Sequence, residues 1–277
     1  MSIFKISFIG GGNMGQAIAS AVIKNRLADA KDVSISDVSQ PRLDSLRDEL
    51  GVFTSTDNLA VANRGDIVVL SVKPQTLPAL MDELSGKLNP KSLVFSIIAG
   101  KKMDTLVTGL KHQAVVRAMP NTPAQIGKGM TVWTATRDVT ANQRTNAEAI
   151  VTVMGKGIYA GYESYLDLAT AVSGSGPAYV FLFMEAMMSA AVEIGMPGEM
   201  AKILVYQTLL GSAEYAKASA KDLAELRRNV TSPGGTTAAA LKVFEDGGFT
   251  PLVHKAVAAA FKRAQELVAY ESEKDGL

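Results

Sequence analysis

Hydrophobic and polar positions change rhythm once along this chain. In the first part, short apolar runs at residues 4–9, 33–36, 67–72, 93–97 and 115–118 alternate with amphipathic stretches. That alternation predicts parallel strands joined by crossover helices. From residue 163 the rhythm is helical only, with helices expected at 165–171, 177–194, 197–218, 221–228, 236–245 and 251–271. Pro177, Pro197 and Pro251 open three of them. Proline suits a first helical turn, where there is no intrahelical donor to lose. The last β-like run, 157–160, puts the boundary near Tyr162, giving an α/β domain over 1–162 and an all-helical domain over 163–277.

Composition sharpens this division. Isoleucine occurs 12 times up to residue 162 and twice after it, while Ala, Leu and Met crowd the second part. The net charge of +1 separates into +5 over 1–162 and −4 over 163–277. With 47% hydrophobic residues, a near-neutral chain is neither disordered nor a dedicated nucleic-acid binder. Its 277 residues suit about two domains. Zero cysteines exclude disulfides, thiolate-held metals and thiol nucleophiles, and two histidines leave no histidine-rich metal site, so no metal is expected. The opening residues carry one Lys and then a strand pattern, which points to the cytoplasm. The most apolar stretch, 179–192, is interrupted by Glu185 and is too short for a bilayer, so it is expected as a buried helix with no membrane role.

The first apolar strand runs into Gly10-Gly11-Gly12-Asn13-Met14-Gly15, a G-x-G-x-x-G sequence. Met14, Ala17, Ile18, Ala21 and Val22 then share one helix face. A glycine turn between strand and helix lets the backbone approach a pyrophosphate and points the helix N-terminus at it, so Rossmann-type dinucleotide binding is expected. Asp37, 22 positions after Gly15 and at the end of the second strand, is placed to accept ribose hydroxyls, which favours NAD(H). Ser36, Ser39 and Arg42 offer a phosphate site instead, so NADP(H) stays open. Other candidates end strands: Ser71-Val72-Lys73-Pro74, Ile97-Ile98-Ala99-Gly100 and Met119-Pro120-Asn121-Thr122-Pro123. Lys73 lies either near the cofactor or on a solvated face, and Asn121 either bonds a nicotinamide amide or closes an Asx-turn.

In the helical part, Ser173-Gly174-Ser175-Gly176-Pro177 and Asn229-Val230-Thr231-Ser232-Pro233-Gly234-Gly235-Thr236-Thr237 each precede a helix with small and hydroxylic residues. Both read as anion sites, or else as helix caps with tight packing. Together they suggest a small carboxylate substrate held between helix N-termini. Neither segment contains the lysine or histidine of an alcohol dehydrogenase. An imine that is already protonated accepts hydride with less need of such a group. His112 and His254 read as ordinary helix or loop residues.

These segments, in this order and spacing, resemble the pyrroline-5-carboxylate reductase family through nearly the full length. The resemblance rests on Phe8 to Met14, Ser71 to Pro74, Met119 to Pro123, Ser173 to Tyr179 and above all Val230 to Thr237. It implies reduction of L-1-pyrroline-5-carboxylate to L-proline with NADPH or NADH. It also implies a homodimer of intertwined helical domains, often assembled into a decamer. By resemblance, Ile9, Gly10, Gly11, Gly12, Asn13 and Met14 hold the pyrophosphate and Ser36 the adenosine end. Asn58, Ser71, Val72, Lys73 and Pro74 line the dinucleotide, Ile97, Ile98 and Ala99 the nicotinamide side, and Asn229 reaches the cofactor from the helical domain. Glu163, Thr236 and Thr237 surround the substrate ring, with Gly235 and Ser175 on its carboxylate. Thr237 is the expected partner of the ring nitrogen. Asp37 departs from the serine or arginine pattern that suits a 2′-phosphate.

Two other readings compete. A 3-hydroxyacid dehydrogenase would carry a lysine on the long helix, and 179–192 has none. A non-catalytic dinucleotide sensor would have damaged substrate segments, and both are intact.

Overall fold

Strands buried on both faces must alternate their side chains between two separate cores, and the parallel strands here do so. The computed structural model describes residues 3–272. In chain order the elements are β1 (Ile6–Ile9), α1 (Asn13–Lys24), β2 (Val33–Ser36), α2 (Gln40–Leu50), β3 (Phe53–Ser55), α3 (Asn58–Ala62), β4 (Ile67–Leu70) and α4 (Leu77–Leu84). Next come β5 (Leu93–Ser96), α5 (Met103–Leu110), β6 (Val115–Met119), β7 (Gly129–Ala135), α6 (Ala141–Met154), β8 (Gly155–Tyr159) and α7 (Ser164–Ala169). The helices α8 (Gly176–Glu193), α9 (Gly198–Ala218), α10 (Leu223–Asn229), α11 (Thr236–Asp246) and α12 (Phe249–Ser272) complete the chain.

The eight strands form one sheet in the order β3-β2-β1-β4-β5-β6-β7-β8. The first six in that order run parallel, β7 is antiparallel to β6, and β8 is parallel to β7. On one face Ile6, Phe8, Ile67, Val69, Leu93 and Phe95 pack with Ile18 and Val22 of α1 and Ile150 and Met154 of α6. On the other, Ile9, Val68, Leu70 and Val94 pack with Leu77 and Leu84 of α4 and Leu106 and Leu110 of α5. Each fully buried aliphatic side chain contributes about 1.5–3 kcal/mol, so the two layers fix which helix covers which face. The doubly wound α/β fold expected from the alternating pattern is present. Its strand order reverses between β1 and β4, which opens a crevice at the carboxyl ends of those strands.

Some expected boundaries move. The first strand begins at Ile6 rather than residue 4, and β4 stops at Leu70 rather than residue 72, because after the Ser71 N–H bonds the Ile9 carbonyl at 2.9 Å its partner strand has turned away at Gly10. The last strand is 155–159 rather than 157–160. Two strands lacked a readable signal. β3 has three residues at a sheet edge with Phe53 40% exposed, and β7 carries two glycine and alanine ends around a mixed pattern.

The helical part brings two corrections. Residues 173–177 do not form a loop ahead of a fresh helix: α7 passes through a π-helical turn, Thr170–Gly174, directly into α8. The Ser175 N–H is bonded to the Thr170 carbonyl at 2.8 Å, so the first small-residue segment is not an open helix N-terminus. Nor is α8 buried within the chain, where none of its residues is inaccessible. With α7 it makes a 30-residue helical run that is long and apolar enough, by composition, to cross a membrane.

By packing, the chain forms two compact units, one of residues up to Ser175 together with those from Ala260 onward, the other Gly176–Ala259. In the second, only Ala201 and Val205 are buried, while Leu182, Ile203, Val243 and Leu252 are more than 60% exposed. So much apolar surface on a helical body marks an association face.

One buried polar atom among the described residues has no partner, the hydroxyl of Thr131 on β7. Thr131→Val keeps the shape and removes that unmet hydrogen bond, so it should stabilise the protein by about 1 kcal/mol. Calorimetry should show the sheet unit melting about 2–4 °C higher.

Candidate active site

Three glycines shape the crevice, each for its own reason. Gly10 has φ +105°, and a Cβ there would lie 2.8 Å from the Ser71 carbonyl oxygen, so both conformation and space require glycine. Gly15 sits with its α-carbon against the turn itself, since a Cβ would lie 2.4 Å from the Gly10 carbonyl oxygen. Gly12 differs: nothing lies within 4 Å of where its Cβ would be. That room faces solvent at the N-cap of α1, which no side chain caps. The first-turn N–H groups of a 12-residue helix are thereby left for an anion. A pyrophosphate approaching the backbone fits such a cradle.

The turn is held from both sides. Ser71 donates its hydroxyl to the Gly10 carbonyl at 2.8 Å, and the Gly10 N–H bonds the Ser36 carbonyl at 2.9 Å. Asp37 accepts from the Gly11 N–H at 2.9 Å and the Ser39 N–H at 3.0 Å. Arg42 donates Nε to the Gly11 carbonyl at 2.7 Å and Nη2 to Gln16 Oε1 at 2.6 Å. One residue of the turn is therefore gripped by a carboxylate and a guanidinium on opposite peptide groups. Ser36 is fully buried and donates to Asn58 Oδ1 at 2.7 Å, and Asn58 passes the chain to Glu83 at 2.9 Å. Those two make a floor beneath the end of β2. Lys73 is exposed beside half-buried Val72 and Pro74, and Ile97 and Ala99 are half-buried around buried Ile98 after β5.

Other candidate residues are already bonded within the sheet unit. Asn121 accepts from the Met130 N–H at 2.8 Å and donates to the carbonyl and hydroxyl of Ser173 at 3.2 and 3.3 Å. Its side-chain amide thus ties the turn after β6 to the π-helical segment. Glu163 Oε1 accepts from the Met103 N–H and from Arg117 Nη1, both at 2.7 Å. In the second unit, α11 starts at Thr236 with Gly235 as N-cap and no side-chain cap. Gly234 has φ +70° and so favours glycine, while a Cβ on Gly235 would lie 2.4 Å from Ser232 Oγ, a side-chain atom that can turn aside. The first-turn N–H groups of α11, with the Thr236 and Thr237 hydroxyls beside them, make a second cradle for an anion. Asn229 ends α10 and is exposed. Among the described residues no group of three His, Asp or Glu is placed to hold a metal ion.

Known proteins match both cradles. The family model for pyrroline-5-carboxylate reductase dimerisation matches residues 163–267, and that for NADP oxidoreductase, coenzyme F420-dependent, matches residues 5–100. The pyrroline-5-carboxylate reductase of Synechocystis is 39% identical over 96% of this chain and 99% of its own length. The chain belongs to the pyrroline-5-carboxylate reductase family. Its fold superposes on the reductase of Coxiella burnetii with a TM-score of 0.84 at 39% identity, over 96% of this chain and 99% of that one. With the Plasmodium falciparum enzyme, solved with NADP bound, the TM-score is 0.89 at 30% identity, over 97% and 99%. As a member of this family the chain is an NAD(P)-dependent oxidoreductase that carries a self-association domain.

Two residues of this family member that sequence patterns did not single out are Arg117 and Asp167. A lone arginine inside an apolar strand, Val-Val-Arg-Ala-Met, was the available signal, because a buried charge must be paired. Glu163 and Asp167, four apart, were the matching one.

Gly12 and Gly15 separate by experiment. Gly12→Ser adds a favourable N-cap and meets no neighbour, so folding stability should change by no more than a few tenths of a kcal/mol, while dinucleotide affinity falls about tenfold or more. Gly15→Ala should lower both, because the backbone of the turn must move. Coenzyme titration beside urea denaturation reads the two effects; unaltered coenzyme affinity in both variants would place the dinucleotide elsewhere.

Proposed function

We propose that this chain reduces L-1-pyrroline-5-carboxylate to L-proline, the last step of proline biosynthesis, with NADH or NADPH as donor. One observation carries the reading. Relatives bearing that activity's name align over 96% of the chain, through the glycine turn and the segment before α11 alike. When bound, the dinucleotide supplies the hydride.

The chain's own residues bind, orient and balance charge. Residues 9–14 receive the pyrophosphate on backbone N–H groups, with Gly12 leaving the space. Ser36 and Asn58 support the adenosine end, and Val38, 91% exposed beside Asp37, offers the adenine an apolar face. Residues 71–74 and 97–99 line the rest of the dinucleotide, and Asn229 reaches it from the helical domain, while Asn121, committed to Met130 and Ser173, shapes the turn after β6 instead of bonding the nicotinamide. The substrate carboxylate rests on Gly235 and the N–H groups of Thr236 and Thr237, with Ser175 close by and Glu163 at the ring. Thr237 bonds the ring nitrogen, which is protonated before transfer, and holds the iminium while hydride reaches its carbon to give the neutral ring amine. Orientation and charge placement then supply most of the rate, and no strong acid is required. The absence of Lys and His from 173–177 and 229–237 agrees with that. The helical domain, taken as 163–277, acts as a substrate-binding and dimerisation module beside a dinucleotide domain of 1–162. The assembly is a homodimer, extending to a decamer, and works in the cytoplasm.

Asp37 sharpens the coenzyme choice. Anchored by two N–H groups, its carboxylate holds a fixed position that suits a ribose diol and repels a 2′-phosphate. Arg42, committed to the Gly11 carbonyl and Gln16, is not poised for that phosphate. NADH is the preferred donor on this reading.

The test is turnover of pyrroline-5-carboxylate by the purified protein, followed at the nicotinamide absorbance with each coenzyme. Oxidation with neither would sink the reading. Thr237→Ala should lower kcat about 10²-fold with coenzyme affinity unchanged. Wild-type turnover in that variant removes Thr237 from the chemistry. Asp37→Ser should move the kcat/KM ratio about tenfold toward NADPH, equivalent to about 1.4 kcal/mol. An unmoved ratio would mean that the carboxylate does not face the ribose.

A further inference from the structure

Arg117 stands on β6, 3% exposed, at the carboxyl side of the sheet. Its guanidinium forks to Glu163 Oε1 at 2.7 Å and Asp167 Oδ1 at 3.2 Å. Glu163 Oε1 also accepts the N–H of Met103, the first residue of α5, whose N-cap Lys102 supplies no side-chain bond. Three segments are therefore joined through Arg117 and Glu163: β6, the start of α5, and α7 with its N-cap. Beyond α7 the chain turns through the π-helical segment to Ser175, and Asn121 grips that segment at Ser173. π-helical turns are rare and tend to mark functional sites.

We propose that Arg117 is a positioning residue for hydride transfer, fixing the loop after β5 relative to the helix that carries Ser175 through Glu163 and Asp167. The loop lies at the sheet edge where a dinucleotide binds in folds of this strand order. The carboxylates sit at i and i+4, and the rigid guanidinium meets each with a separate terminal nitrogen. Glu163 faces a guanidinium on one side and the positive end of α5 on the other, so its charge is already answered inside the protein. Glu163 Oε1 is thus held by the Met103 N–H and Arg117 Nη1, which together fix where its carboxylate stands. The activity arm of this inference rests on the reductase reading above; the exchange and binding arms do not.

The decisive comparison is Arg117→Met and Arg117→Lys against wild type, in the full-length protein. Three quantities are measured: hydrogen exchange by peptide, coenzyme affinity by fluorescence titration, and kcat with KM. Arg117→Met should speed exchange in residues 97–106 and 164–175 and lower kcat at least about tenfold, since small misplacements of reacting groups cost that much or more. Coenzyme affinity should stay within about threefold, because the glycine turn is untouched. Arg117→Lys should recover part of kcat and part of the protection, one bond of the fork being replaced. Wild-type exchange and kcat in Arg117→Met overturn the proposal. So does exchange raised evenly across the sheet with coenzyme affinity falling in step with kcat, which makes Arg117 a general stabiliser. If Arg117→Met does not fold, Arg117→Lys decides, and wild-type kcat and exchange in that variant overturn the need for the fork. A wild-type protein with no pyrroline-5-carboxylate turnover defeats the reductase reading, while the exchange and titration results still judge the clamp.

Discussion

The close approach of two backbones at the switch in strand order governs the site. At Gly10 the chain leaves β1 with a positive φ and passes against the Ser71 carbonyl, and at Gly15 the first turn of α1 rests on the Gly10 carbonyl. Side chains at either position would push α1 away from the sheet. Because they are absent, the N-terminus of α1 lies at the carboxyl edge of β1 with its N–H groups unclaimed. The hydrogen bonds around it have a common effect. Ser71, Asp37 and Arg42 all bond the turn's peptide groups, so the cradle is shaped before any anion arrives. Preformed geometry spares a ligand the cost of ordering the loop.

The same principle recurs in the helical unit with different residues. Gly234 and Gly235 bend the chain tightly against Ser232, and α11 then begins without a side-chain cap. Both uncapped helix starts thus offer an anion backbone N–H groups and hydroxyls, with few cations. This accounts for the charge distribution. The helical half carries a net −4 over residues 163–277. That would be a poor choice if excess Lys or Arg had to attract a carboxylate, but it does little harm to a short-range cradle that salt screens weakly.

What was legible in the sequence was whatever depends on local chemistry. The glycine spacing, the acidic residue after β2 and the small residues before α11 declare themselves because each constrains its own few residues. Elements held only by distant partners left no such mark. β3 is a three-residue edge beside β2, and β7 intersperses Gly, Thr and Ala among Met, Val and Trp, so neither shows the apolar run that marks the buried parallel strands. The π-helical turn reads locally as Ser-Gly-Ser, a loop, and becomes helix because Asn121 and the Thr170 carbonyl supply its bonds. The buried fork of Arg117 is visible in sequence only as an anomaly, a charge within an apolar strand. Its partners lie 46 and 50 residues away.

Arg117 also bears on why a buried ion network persists here at all. Replacing buried ion pairs by packed apolar groups is often neutral or stabilising, so stability alone is a weak reason for a guanidinium at 3% exposure. Apolar side chains, however, tolerate sliding; a fork between two carboxylates does not, because each bond has its own direction. The segment so fixed is the one that leads out of the sheet unit at Ser175, and in the helical unit that follows it along the chain only Ala201 and Val205 are buried. A helix that leads into a unit with exposed apolar faces needs its entry point set by something directional. Hydrophobic contact would hold α7 against the sheet, but in no single register.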